Sequence, residues 1–277
     1  MLHALVEPWR FGFMQRALLE LVLVGIVGGV LGCWVVFYEL SYSAESLAHA
    51  LFPGLVVAAL LGVPLVLGGA VGVLVAAVAV AVFGRTPEIG RDTSVAVVIT
   101  TLFGLGVVLG LSPSSPPGLN ELLFGDLLAV TPTDLAVAAA LGSIVLVVLT
   151  LLYRELLVVG FDRSSAAAFG ARPLLIDLVL LGLIAAVVII GVQALGNLLV
   201  VAVIVGPAAT ARLLARRMVP MMALAAGCAV LAGLLGLYLS YYANLAGGAS
   251  VAAVMVAGYL LALCVRGGLL LRASSAA

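Results

Sequence analysis

Glu45 and His49 stand four residues apart in the run Ser41-Tyr42-Ser43-Ala44-Glu45-Ser46-Leu47-Ala48-His49-Ala50, at the start of a long apolar stretch. On a helix this spacing puts both side chains on one face about one turn apart, where they can share a ligand. A neutral imidazole and a carboxylate both donate lone pairs, and the carboxylate offsets positive charge, which suits a divalent ion of the zinc or manganese type. An unpaired charge within a membrane is costly, so residues of this kind line pathways. Two ligands fall short of the roughly four of a closed zinc site and describe a weak, transient one, fit for an ion that must leave again. The same pair could relay a proton. A plainer reading keeps Glu45 in the interface and lets His49 hydrogen-bond a neighbouring helix. His3, in the polar N-terminal segment, reads as incidental.

The elements that position this pair follow from composition. Of 277 residues 65% are hydrophobic and 9% charged, whereas a soluble domain carries about 25% charged residues. The bilayer is therefore the main solvent. Zero net charge without a basic block argues against nucleic acid as a partner, and three cysteines make no disulfide framework. The chain has no lysine, so it lacks a phosphate-binding loop ending in Lys-Ser or Lys-Thr and must borrow any ATPase. Spanning a layer about 30 Å thick takes about 20 apolar residues. Cutting at charges and turn residues leaves apolar runs at 17–38, 45–62, 64–83, 94–111, 135–153, 174–192, 198–214, 219–241 and 251–265. These runs are continuously apolar, unlike the alternating strands of a barrel. The expected fold is all-α, a polytopic transmembrane bundle of about eight to nine helices forming one domain over 1–277. Val30-Leu31-Gly32-Cys33 resembles a lipoprotein cleavage box, but the apolar run continues through Trp34 to Phe37, so Cys33 reads as a small buried hydrophobe.

Arginines collect on the cytoplasmic side. Arg85, Arg91, Arg154, Arg163, Arg172, Arg212, Arg216, Arg217, Arg266 and Arg272 fall on one side and only Arg10 and Arg16 on the other. This places a short segment, 1–16, outside and a connection, 154–173, inside. Within that connection Asp162 can cap a short helix, Arg163 to Phe169 are helix-compatible, and Gly170 followed by Pro173 ends it. Phe161 and Phe169 bracket the small residues Ser164, Ser165, Ala166, Ala167 and Ala168, a surface suited to docking in a groove or to lying on lipid. Pro207 removes a backbone bond inside the seventh run and frees the Val203 carbonyl, a possible gate hinge or a simple packing feature. Gly25 with Gly29 and Gly28 with Gly32 permit close helix approach. Asp126 reads as a cap for a short helix or as an outer-face contact for a partner protein, with the cap preferred, while Gln193 and Asn197 are polar neighbours at an outer turn without an assigned role.

Together these residues resemble the membrane permeases of bacterial metal-ion ABC importers, those for zinc, manganese and iron. The resemblance spans nearly the whole chain. Its carriers are Ser41-Tyr42 with Leu47-Ala48-His49-Ala50, Leu123-Phe124-Gly125-Asp126-Leu127-Leu128-Ala129-Val130-Thr131-Pro132, Gly160-Phe161-Asp162 with Ala168-Phe169-Gly170, and Gly206-Pro207-Ala208-Ala209-Thr210-Ala211-Arg212. The second of these looks most like the zinc-uptake members. The resemblance implies a homodimeric permease of the cytoplasmic membrane with its path near the dimer axis and no covalently bound cofactor. It further implies cytoplasmic ATPase subunits that use ATP and an extracytoplasmic protein that delivers zinc or manganese. Phe161 to Gly170 would be the coupling segment. Glu45 and His49 match an intramembrane Asp and His, with Glu in place of the usual Asp. The Pro usual in the last outer loop is absent from Ala246-Gly247-Gly248-Ala249-Ser250. A rival expectation is an ATP-independent secondary transporter or channel that uses the same pair as a metal or proton relay.

Overall fold

The computed structural model of the chain describes residues 7–83, 91–111, 121–166, 170 and 172–275. After a short 3-10 turn at Glu7–Arg10, the described elements are all α-helical: α1 Gly12–Phe37, α2 Ser41–Leu61, α3 Leu65–Phe83, α4 Arg91–Gly110, α5 Glu121–Phe124 and α6 Pro132–Leu151. They continue with α7 Tyr153–Phe161, α8 Arg163–Ala166, α9 Pro173–Leu195, α10 Val200–Leu214, α11 Met218–Ala243 and α12 Gly247–Ser275. Six are long and apolar enough to cross a membrane: α1, α2, α6, α9, α11 and the Gly247–Gly267 part of α12. Shorter apolar stretches run through Leu65–Val80, Val95–Gly110 and Val200–Leu214. The all-helical class is as expected from composition. The helix count exceeds the expected eight to nine, because the connections are not plain loops but contain α5, α7 and α8.

Charges were poor guides to helix ends. α1 begins at Gly12 rather than at 17, because Arg16 does not have to leave the helix: its Nε donates to the Val130 carbonyl at 3.0 Å. α2 likewise begins at Ser41, with Glu45 in its second turn. The start of α6 is fixed by a capping box, in which Thr131 accepts from the Asp134 amide and Asp134 accepts from the Thr131 amide at 2.9 Å.

α1 is the central element, packed against α6, α9, α10 and α11, while α2 packs against α3 and α4. In lipid there is little hydrophobic drive between helices, so close backbone approach carries the packing. A Cβ at Gly32 would overlap the Ile204 carbonyl oxygen of α10, and one at Gly29 would lie 2.9 Å from the backbone of Ala225 in α11. The two glycine pairs of α1 therefore seat two different neighbours. Around them Leu31, Trp34, Leu51, Leu55, Ile184 and Ile204 form the largest buried apolar cluster.

Candidate functional site

On α2 the residues Ala44, Ala48, Leu51 and Leu55 are fully buried and turn one stripe of the helix to the core. The neighbouring stripe carries Ser41, Tyr42, Glu45 and His49, and all four line a cavity of about 620 Å³. Its other walls are apolar residues of α10, such as Val201 and Val205, and of α12, such as Met255, together with Tyr259 and the side chain of Asn197. Glu45 is exposed there and His49 half-buried. The pair singled out by spacing is thus on one face and in one cavity. Among the described residues no group of three or more His, Cys, Asp or Glu side chains gathers to hold a metal ion. One chain therefore offers two strong donors at this place.

His49 is held from two directions. The ring of Phe103, on α4, lies with its centroid 4.5 Å from that of His49. The Nδ2 of Asn197 lies 3.4 Å from His49 Nδ1, and Asn197 is 1% exposed. Neither Phe103 nor Asn197 was assigned a site role by sequence reasoning. An apolar run hides an aromatic neighbour of His49, and an Asn between two runs looks like any turn residue.

The turn carrying Asn197 is buried, with Asn197 only 1% exposed. Buried turn backbone needs internal partners. The segment around α5 supplies them: Asn197 N–H donates to Leu122 O at 2.9 Å, Leu198 N–H to Leu123 O at 3.3 Å, and Asp126 N–H to Gln193 O at 3.1 Å. Gly125 permits this contact, since its φ is +75° and a Cβ there would overlap the backbone from Ala194 to Gly196. Asp126 Oδ1 accepts from the amides of Leu128 and Ala129 and closes the following turn. The Leu-Phe-Gly-Asp stretch is therefore the support of the turn that touches His49.

At the other end of α1, Phe37 meets Phe161 with ring centroids 5.3 Å apart, while Tyr38 donates from its hydroxyl to Leu156 O at 2.7 Å. Phe161 is nevertheless 78% exposed. Asp162 Oδ1 accepts from the amide and hydroxyl of Ser164, and Arg163 pairs with Asp177 of α9. Ser165 and Ala166 complete α8, Ala166 is buried, and Gly170 adopts a φ of +80°. Ala167, Ala168 and Phe169 lie outside the described residues. Pro207 is buried inside α10, which runs unbroken from 200 to 214, and Ala208 and Ala211 pack against Cys33 of α1 and Met221 and Ala225 of α11.

A chain whose described elements are helical, six of them long and apolar enough to cross a membrane, is an integral, multi-pass membrane protein. Residues 10–266 match the ABC 3 transport family, and the chain belongs to that family as an ABC transporter permease of the cytoplasmic membrane. It is 34% identical over 255 residues to the manganese transport system membrane protein MntC of Halalkalibacterium halodurans, covering 91% of this chain and 86% of the relative. It is 30% identical to a probable iron transport system membrane protein of Haemophilus influenzae, over 94% of this chain and 96% of the relative. Among solved structures, PsaBC from Streptococcus pneumoniae in complex with Fab superposes with a TM-score of 0.89 at 29% identity, covering 95% of both chains. An inward-facing putative metal-chelate type ABC transporter shares the fold at a TM-score of 0.68 and 14% identity, covering 90% of this chain and 85% of that one.

Proposed function

We propose that the chain is the permease subunit of an ATP-driven importer for a divalent transition metal, with manganese the favoured cargo and zinc the second. The observation that carries this reading is the placement of Glu45 and His49 together on the wall of the α2–α10–α12 cavity. Manganese is favoured because relatives at 34% and 32% identity are named for its transport, and because a carboxylate with one imidazole is a harder donor set than zinc's usual thiolate-rich or imidazole-rich sites. The whole chain, 1–277, acts as one transmembrane domain with segment 1–16 outside. Two donors per chain argue for a homodimer, in which a second copy doubles the set around a shared path. The ion would rest briefly on the pair and leave, as a weak site allows.

The chain carries no ATPase motif, so the energy comes from cytoplasmic ATPase subunits, and the metal from an extracytoplasmic binding protein. Phe161 to Gly170 is the coupling segment pressed by the ATPase. Exposed Phe161 is its apolar contact, and its edge against Phe37 ties it to the end of α1. Pro207 serves as the gate hinge: it denies α10 the bond to Val203 O, next to Gly206 on the cavity wall.

Uptake of radioactive manganese and zinc tests the reading in cells stripped of their own importers. The chain is expressed with and without its ATPase, as wild type or as His49→Ala at matched membrane abundance. Uptake is expected to require the ATPase, to favour manganese, and to fall at least about tenfold in His49→Ala. Uptake that persists without the ATPase makes the chain a secondary carrier. ATPase-dependent uptake that His49→Ala leaves intact makes the pair structural.

A further inference from the structure

Asn197 sits against His49 from outside that residue's own helix. Its carboxamide reaches His49 Nδ1 at 3.4 Å, it is 1% exposed, and its Oδ1 has no hydrogen-bond partner among the described residues. A buried acceptor without a partner is costly. The oxygen and nitrogen of a carboxamide are told apart by their hydrogen bonds rather than by shape. If Nδ2 donates to His49 Nδ1, the ring proton sits on Nε2 and neither nitrogen has a free lone pair for an ion. If Oδ1 takes that place, it accepts from Nδ1–H, and the lone pair of Nε2 is free. Ligating histidines are held in the second way, their other ring N–H bonded to a carbonyl or carboxylate.

We propose that Asn197 is a positioning residue for the cargo site: its side-chain oxygen accepts from His49 Nδ1–H and so fixes the tautomer and ring angle that present Nε2 to the ion. This rests on the assignment of His49 as a ligand above. Phe103, 4.5 Å away between centroids and tilted by 50°, packs against the same ring. The backbone of Asn197 is anchored separately, by its amide bond to Leu122 O, so the side chain can be replaced without releasing the turn. Site affinity is thereby tied to the α9–α10 turn and the α5 segment beneath it.

Equilibrium binding of manganese(II) to the purified permease–ATPase complex in nanodiscs tests this, read by loss of the free-ion electron paramagnetic resonance signal. Asn197→Leu is expected to raise Kd by about 10–100-fold at unchanged stoichiometry. Asn197→Asp, which can only accept when ionised, is expected to stay within about threefold of wild type. A purely structural role lowers the number of sites and leaves Kd alone. Wild-type Kd in Asn197→Leu, or equal loss in the Leu and Asp variants, overturns the proposal. If Asn197→Leu does not accumulate, Asn197→Ala carries the same expectation. His49→Ala separates the two claims: weakened binding there with normal binding in Asn197→Leu overturns the positioning role alone, and normal binding in His49→Ala overturns the metal site and this proposal with it.

Discussion

At position 45 charge and reach are separable. Glu45→Gln keeps the length of the arm and removes the charge that, in the proposed site, offsets a divalent ion. Manganese uptake at sub-saturating concentration is expected to drop at least about tenfold, since a neutral amide is a weaker partner for a hard cation. Glu45→Asp keeps the charge and withdraws it by one methylene. Position 45 faces an open cavity rather than a closed cage, so the ion can follow the carboxylate, and uptake is expected within about threefold of wild type. Initial-rate uptake at matched membrane abundance checks both, and a Gln variant that transports normally removes the carboxylate from the site.

Helices and turns carry the next set of consequences. Gly125 and Gly170 both have positive φ, +75° and +80°, but a Cβ at Gly125 would overlap the α9–α10 turn while one at Gly170 meets none of the described residues within 4 Å. Gly170→Ala therefore incurs only the left-handed backbone penalty, about 1–2 kcal/mol. Gly125→Ala adds a clash of about 1–3 kcal/mol. Thermal melts in detergent are expected to show a clearly larger Tm loss for Gly125→Ala, and equal losses would mean the α5 segment is not seated on the turn. This pair also shows where sequence reasoning reaches its limit. Apolar run length made the helical class and the main apolar helices legible, and the spacing of Glu45 and His49 placed both on one helix face. Arg16 and Glu45 misled the boundaries, because a charge with a local acceptor or a cavity to face does not end a helix. The support of Asn197 by α5 was illegible. It depends on backbone hydrogen bonds between segments some 70 residues apart, which no local periodicity records.

Across the whole molecule, the cavity on α2 and the proposed coupling segment against the end of α1 are joined through the α1–α2 connection. Phe161 touches Phe37 in the last turn of α1, and Tyr38 is bonded to Leu156 of α7. The chain then turns through Glu39, a non-glycine residue at a φ of +58°, and enters α2 at Ser41. Displacement of α7 and α8 therefore bears on the start of the helix that holds Glu45 and His49, through a connection of only three residues. Arg163 paired with Asp177 ties the same segment to α9, the helix that ends at the Asn197 turn. Both sides of His49 are thus reached from one place. If this linkage carries the ATPase stroke, Phe161→Ala separates binding from transport. Manganese Kd in the purified complex is expected to stay within about twofold, because no cavity residue changes. ATPase-driven uptake is expected to fall at least about tenfold, because the apolar contact that passes motion to α1 is gone. Parallel binding and uptake measurements on the same variant decide the matter: loss of both means that Phe161 holds the fold, and loss of neither means that the stroke enters the permease elsewhere.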